Sequence, residues 1–106
     1  MTDRFADTFA RLSQERNGAF VPFVNLCDPD EATSLRILKT LVAAGADALE
    51  LGLPFSDPSA DGPVIVASAD RAIRNGATTE KCLKVIEAFR AENKTTPAVS
   101  YTHLTL

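Results

Sequence analysis

The sequence is poor in the residues that build metal sites and disulfide frameworks. Its 106 residues include two cysteines, one histidine, one methionine and no tryptophan. Cys27 and Cys82 are far apart and form no Cys-x-x-Cys pair, so neither a zinc site nor a disulfide framework is indicated. Both thiols are therefore predicted to serve as small apolar side chains. The single histidine, His103, is weak evidence of catalysis because no recognisable partner accompanies it.

Long runs of charge and long apolar runs are also missing. The net charge is −3 and no cluster of lysine and arginine occurs, so the sequence lacks the electrostatic signature of a nucleic-acid-binding protein. No apolar stretch approaches the roughly 18 residues of a membrane-spanning helix. The first residues carry acids and no apolar core of a secretory signal. We expect a cytoplasmic protein with neither nucleic acid nor membrane as partner.

Apolar runs alternate with amphipathic segments along the chain. Residues 19–26 (AFVPFVNL) and 46–53 (ADALELGL) are predicted strands, and Pro22 weakens the expectation of regular pairing in the first. Between them we predict a helix with Asp28 as its N-cap and Pro29 in its first turn. Two more helices and a third strand, beginning in TTPAV, follow. This order is typical of an α/β fold with parallel strands.

The alternation in the second predicted strand separates two faces. One face carries leucines, and the other carries Ala46, Ala48, Glu50 and Gly52. A leucine face is what a strand presents to covering helices, whereas a face of small residues suits a crowded barrel interior or a ligand. Glu50 could also be an edge-strand glutamate in water. We favour a functional role because a strand covered by leucine packing removes this carboxylate from solvent.

Glu50 opens the stretch ELGLPFSDPSADGP, which contains two further acids. Asp61 precedes Gly-Pro at a predicted helix start, so a helix N-cap explains it as well as catalysis does. Asp57 precedes a proline, where an Asx turn is an equally good explanation. The residues by themselves leave both roles open.

The segments GAFVPFVNLCDPD and AGADALELGLPFSDPSADGP together resemble the N-terminal part of the tryptophan synthase alpha subunit, over residues 1–98. The resemblance implies a (β/α)8 TIM barrel, which takes about 250 residues. This chain would supply its first two βα units, an extra helix after the second strand, and the start of the third strand. Residues 99–106 (VSYTHLTL) leave the family pattern and look like a translated sequencing adapter. We expect them to be a non-native tail in which Tyr101 and His103 have no function.

The resemblance also implies an activity, the retro-aldol cleavage of indole-3-glycerol phosphate to indole and glyceraldehyde 3-phosphate in tryptophan biosynthesis. By motif, Glu50 matches the general acid/base and Asp61 the acid that stabilises positive charge on the indole nitrogen. The remaining matches are to the indole pocket (Phe23, Ala60, Ile65) and to the surface facing a beta subunit (Pro54, Asp57). Pyridoxal phosphate is expected in that beta subunit, whereas neither a cofactor nor a metal is expected in this chain.

Two other functions remain open. The chain could belong to another phosphate-substrate TIM-barrel enzyme, with Glu50 in a different role. It could also be a non-catalytic fragment that only docks on a beta subunit through Pro54 and Asp57. The family's phosphate-binding loops lie outside this chain, so the chain alone is expected to be inactive.

Overall fold

Helices and parallel strands alternate along the computed structural model, which describes residues 3–55 and 62–100. The elements are α1 (Arg4–Glu15), β1 (Phe23–Asn25), α2 (Glu31–Ala43), β2 (Leu49–Gly52), α3 (Pro63–Arg74), α4 (Thr79–Glu92) and β3 (Ala98–Ser100). This order confirms the predicted α/β class, with α3 as the extra helix after the second strand. Five residues discussed above lie outside the described residues: Asp57, Ala60, Asp61, Tyr101 and His103.

The three strands form one parallel sheet in the order β1-β2-β3. Each is shorter than the apolar run that predicted it. β1 begins only after Pro22, whose carbonyl still accepts a hydrogen bond from the backbone N–H of Glu50 at 3.0 Å. A proline can accept but not donate in a ladder, so it is tolerated just before the strand.

The leucine face of β2 forms the centre of the core. Leu49 and Leu51 are 0% and 1% exposed and belong to one apolar cluster with residues of α2 and α4. Leu38 comes from α2, and Val85 and Phe89 come from α4. The predicted division of β2 into a leucine face and a small-residue face is therefore confirmed. Helices α2 and α4 cover the first face, which leaves the second for other contacts.

The two cysteines are buried in this core, as predicted, and they also contact each other. Their Sγ atoms are 3.5 Å apart, although 55 residues separate them in sequence. Both are free thiols. Burial raises the pKa of Cys27 and raises the pKa of Cys82 to about 12, with the neighbouring thiol of Cys27 as a further cause for Cys82.

Helix α2 begins two residues later than predicted. Its N-cap is Asp30 and not Asp28, and the Asp30 carboxylate accepts hydrogen bonds from the backbone N–H of Thr33 at 2.7 Å and from its hydroxyl at 3.1 Å. The carboxylate of Asp28 is engaged elsewhere, by Arg71 of α3. Either aspartate could cap the helix on local grounds. Because Asp28 binds Arg71, Asp30 is the one that caps it.

Candidate functional site

Phe23 and Glu50 lie side by side on the small-residue face of the sheet. The register pairs Phe23 with Glu50 and Asn25 with Gly52, so the side chains of β1 and β2 on this face are neighbours. Gly52 makes the arrangement possible. A Cβ atom there would lie 2.2 Å from Oδ1 of Asn25 and 2.6 Å from Cζ of Phe23. The glycine thus lets the two β1 side chains extend over β2.

Glu50 is half-buried, and its carboxylate has no hydrogen-bond or ion-pair partner anywhere in the described ranges. A carboxylate partly removed from water normally gains a compensating partner. With no partner in those ranges, this group is available to a ligand on the face that it shares with Phe23. The alternative interpretation, that Glu50 lies on a solvated edge strand, is wrong because β2 is the central strand of the sheet.

Helix α3 brings a second predicted pocket residue to this site. The side-chain amide of Asn25 donates to the backbone carbonyl of Ile65 and to the hydroxyl of Ser68, both at 3.3 Å. These bonds join the first turns of α3 to β1, so Phe23, Glu50 and Ile65 come from elements that meet at this end of the sheet. Ile65 is half-buried there.

The N-cap of α3 is Gly62, which contributes no side-chain capping bond. The alternative role considered for Asp61, that of the helix N-cap, is therefore wrong by one position. Pro63 occupies the first helical position, as expected from its fixed φ angle. Asp61 itself, with Asp57 and Ala60, lies outside the described residues. Pro54 is buried two residues after the end of β2, and its contact with a beta subunit stays a prediction.

Three polar residues, none of them predicted to take part in this contact, connect α3 to the segment after β1. The carboxylate of Asp28 accepts from Arg71 Nε at 2.6 Å and Nη2 at 2.8 Å, and it also accepts from the hydroxyl of Ser68. The hydrogen bonds from Arg71 are the main cause that holds the pKa of Asp28 below its usual value. One signal was present in the sequence: Asp28 and Asp30 both suit the N-cap of α2, and only one of them can occupy it.

Neither metal ligands nor membrane-spanning helices stand out. Within residues 3–55 and 62–100, no group of three or more His, Cys, Asp or Glu side chains could hold a metal ion. The helices of these same ranges are all too short or too polar to cross a membrane.

Comparison with known sequences identifies the family. The family model for the tryptophan synthase alpha chain matches residues 9–106. The tryptophan synthase alpha chain of Vibrio vulnificus (strain YJ016) is 56% identical over 90 residues, which cover 85% of this chain. The chain belongs to the tryptophan synthase alpha chain family. It spans 34% of the length of the Vibrio relative, about a third of a complete alpha chain.

Solved structures of the family have the same fold. The tryptophan synthase alpha subunit of Legionella pneumophila str. Paris superposes with a TM-score of 0.88 at 33% identity, covering 94% of this chain and 38% of that one. The tryptophan synthase α2β2 complex of Pyrococcus furiosus matches with a TM-score of 0.71 at 38% identity, covering 77% of this chain and 34% of that chain. The prediction of a partial (β/α)8 barrel is confirmed.

Proposed function

We propose that the protein containing this chain cleaves indole-3-glycerol phosphate to indole and glyceraldehyde 3-phosphate, as a tryptophan synthase alpha subunit. Membership of the family supports this reaction. The observation that carries it here is the half-buried carboxylate of Glu50, which has no partner among the described residues and whose strand position pairs with Phe23. A planar apolar substrate with one bond to be broken by proton transfer suits such a pair.

Two carboxylates are needed because the cleavage creates and moves charge. Glu50 delivers a proton to C3 of the indole and removes one from the glycerol hydroxyl, which lets the carbon–carbon bond break. Protonation at C3 places positive charge on the ring nitrogen. Asp61 pairs with that nitrogen, and the contact is strongest when the charge has formed, so it lowers the barrier and not only the dissociation constant.

The apolar residues hold the indole ring. Phe23 of β1 lies next to Glu50 in the sheet register, and the backbone of Ile65 is bonded to the same strand. With Ala60 they form the proposed indole pocket, in which a few polar groups orient an otherwise apolar ligand. Excluding water from this pocket strengthens the electrostatic interactions of Glu50 and Asp61 with the substrate.

We further propose that a beta subunit docks against Pro54 and Asp57 and takes up the indole. Support comes from the Pyrococcus furiosus relative, which is an α2β2 complex. Pyridoxal phosphate would belong to that beta subunit, and no role for a cofactor is assigned to residues of this chain. The reaction is a step of amino-acid biosynthesis, and we place it in the cytoplasm.

Replacing Glu50 tests the proposal. Residues 1–98 of this chain, followed by the remainder of the Vibrio vulnificus relative, give a complete alpha chain that we call the completed barrel. We expect Glu50→Gln to slow indole release from indole-3-glycerol phosphate by about 10²- to 10⁴-fold, because glutamine keeps the shape and cannot transfer protons. Glu87→Gln, an exposed glutamate of α4, is the matched control and should keep the parent rate.

Asp61→Asn separates catalysis from helix capping. Because Gly62 is the N-cap of α3, the variant should melt like the parent while its indole release falls as steeply as in Glu50→Gln. A lower melting temperature with an unchanged rate would return Asp61 to a structural role. A Glu50→Gln rate within about tenfold of the parent would refute the assignment of the general acid/base. Binding of a beta subunit with no indole release would favour the docking fragment instead.

A further inference from the structure

Helix α3 is attached to the segment after β1 by a polar cluster that the proposed mechanism does not use. Asp28 accepts two hydrogen bonds from the guanidinium of Arg71 and one from the hydroxyl of Ser68. One carboxylate thus joins two residues of α3 to a loop 40 and 43 positions earlier in the sequence. We call Asp28, Ser68 and Arg71 the α3 anchor. The side-chain amide of Asn75 adds a bond to the carbonyl of Pro29 at 2.8 Å.

The geometry and burial of the anchor make it a defined contact. The Asp28 side chain is 14% exposed, and Ser68 is buried. Arg71 presents two parallel N–H groups to the two carboxylate oxygens, an arrangement that fixes orientation as well as distance. This side of α3 therefore has one preferred position over the end of β1.

Within this chain α3 buries little apolar surface, so polar bonds supply much of its contact with β1 and the segment after it. The buried residues of the helix are Ser68 and Ala72, both small. Of its larger apolar residues, Ile65 and Val66 are half-buried, whereas Val64 is 78% and Ile73 46% exposed. A helix that buries little hydrophobic surface gains little from the hydrophobic effect. Without the anchor, α3 would keep its helical bonds and the bonds through Ile65 and Asn75, and it would lose the bidentate contact that fixes its orientation.

The first turn of α3 is where this placement matters to the site. Gly62 and Pro63 directly follow Asp61 in the sequence, and Ile65 is bonded through its carbonyl to Asn25. Asn25 in turn donates to Ser68 of the anchor. Position 65 in the first turn of α3 is therefore set by the same network that holds Arg71.

We propose that Asp28, Ser68 and Arg71 are positioning residues, which hold the first turn of α3 so that Ile65 meets the indole ring in the reactive geometry. The proposal rests on the proposed cleavage of indole-3-glycerol phosphate. None of the three residues touches the reacting atoms. Their effect is on alignment, where a displacement of about 1 Å can cost about 10²-fold in rate.

Kinetics of the completed barrel test the anchor. Asp28→Asn and Arg71→Gln should each lower kcat for indole release by about 10- to 100-fold and change KM less, because apolar contacts still bind the indole. The double variant should be about as slow as either single variant, since both break the same bond. Arg74→Gln is the matched control: this exposed arginine of α3 has no partner in the described part of the chain and should keep the parent kcat.

Hydrogen exchange of the backbone amides provides a readout that does not need activity. In Arg71→Gln the amides of α3 should exchange at least about tenfold faster, while those of α4 stay at the parent rate. Faster exchange throughout the protein would mean general destabilisation and would overturn the proposal. An unchanged α3, or a loosened α3 with the parent kcat, would overturn it as well. If the unsubstituted completed barrel releases no indole, the proposed function fails, and exchange in α3 then decides separately whether the anchor holds the helix.

Discussion

Gly52→Ala is the substitution whose effect follows most directly from the packing of the sheet. The added Cβ would lie 2.2 Å from Oδ1 of Asn25, 2.6 Å from Cζ of Phe23 and 3.1 Å from its Cε2. Non-bonded heavy atoms pack best at about 3.5 to 4.0 Å, so both side chains must move by about 1 Å or more. They cannot move independently, because Asn25 is buried and donates to Ile65 and Ser68.

The expected cost has two parts. Forcing an extra methyl group into a packed site costs about 1 to 3 kcal/mol. Displacing the buried amide of Asn25 from its two acceptors adds about 1 to 3 kcal/mol, the penalty for an unsatisfied polar group. Because one movement causes both, we expect a total of about 2 to 5 kcal/mol, a large fraction of the about 5 to 15 kcal/mol that stabilises a domain.

The assay is thermal unfolding of the completed barrel. A loss of about 2 to 5 kcal/mol should lower the melting temperature by about 5 °C or more in a protein of this size. Gly18→Ala is the control, since nothing lies within 4 Å of a Cβ at that position. It should be neutral or slightly stabilising, because alanine restricts the unfolded chain. A Gly52→Ala variant that melts within about 2 °C of Gly18→Ala would refute the close approach of β1 side chains over β2.

Three further outcomes are expected. Burial in the folded protein raises the pKa of the Cys82 thiol from 9.0 to about 12, so the unfolded state loses its proton first and stability falls as pH rises above 9. The loss between pH 8 and pH 10 should be about 1 kcal/mol by urea unfolding, and Cys82→Ala should show a smaller loss because Cys27 alone remains buried. Equal parent stability at pH 8 and pH 10 would contradict this. Asp30→Ala should cost about 1 kcal/mol and Asp30→Ser less, and equal losses would disprove the cap. The 106-residue chain alone should release no indole, because the family's phosphate-binding loops lie outside it. It should also melt without a sharp transition, because β3 has one open edge. A cooperative melt with a dispersed NMR spectrum would argue against this expectation of poor folding.

Local patterns were sufficient for the elements and for the two faces of β2. Alternation in residues 46–53 separated the leucines from Glu50, and the structure confirms that separation. The spacing i, i+3, i+7 of Cys82, Val85 and Phe89 indicates one face of a helix, and these three are the buried residues of α4. These predictions succeed because a residue's face depends on its neighbours two to four positions away, which the sequence displays directly.

The candidate site could be predicted only in part. The long motif around Glu50 identified the family, and the strand alternation put Glu50 on the face that it shares with Phe23. The α3 anchor could not be predicted because Asp28 and Arg71 are 43 positions apart. Locally, Asp28 is acceptable as a helix cap and Arg71 as an exposed helix residue. No residue near Asp28 or Arg71 in the sequence indicates that the two side chains pair.

By itself, the sequence determined the order of helices and strands, the faces of the second strand and the family. All three depend on composition and on the spacing of residues that are close together in the sequence. Only the tertiary structure decided which of Asp28 and Asp30 caps α2, that Cys27 contacts Cys82, and that Gly52 must lack a side chain. Each of these depends on a group from a distant part of the chain. Which residue binds that group, and how much space remains beside it, depends on how the sheet and the helices pack together.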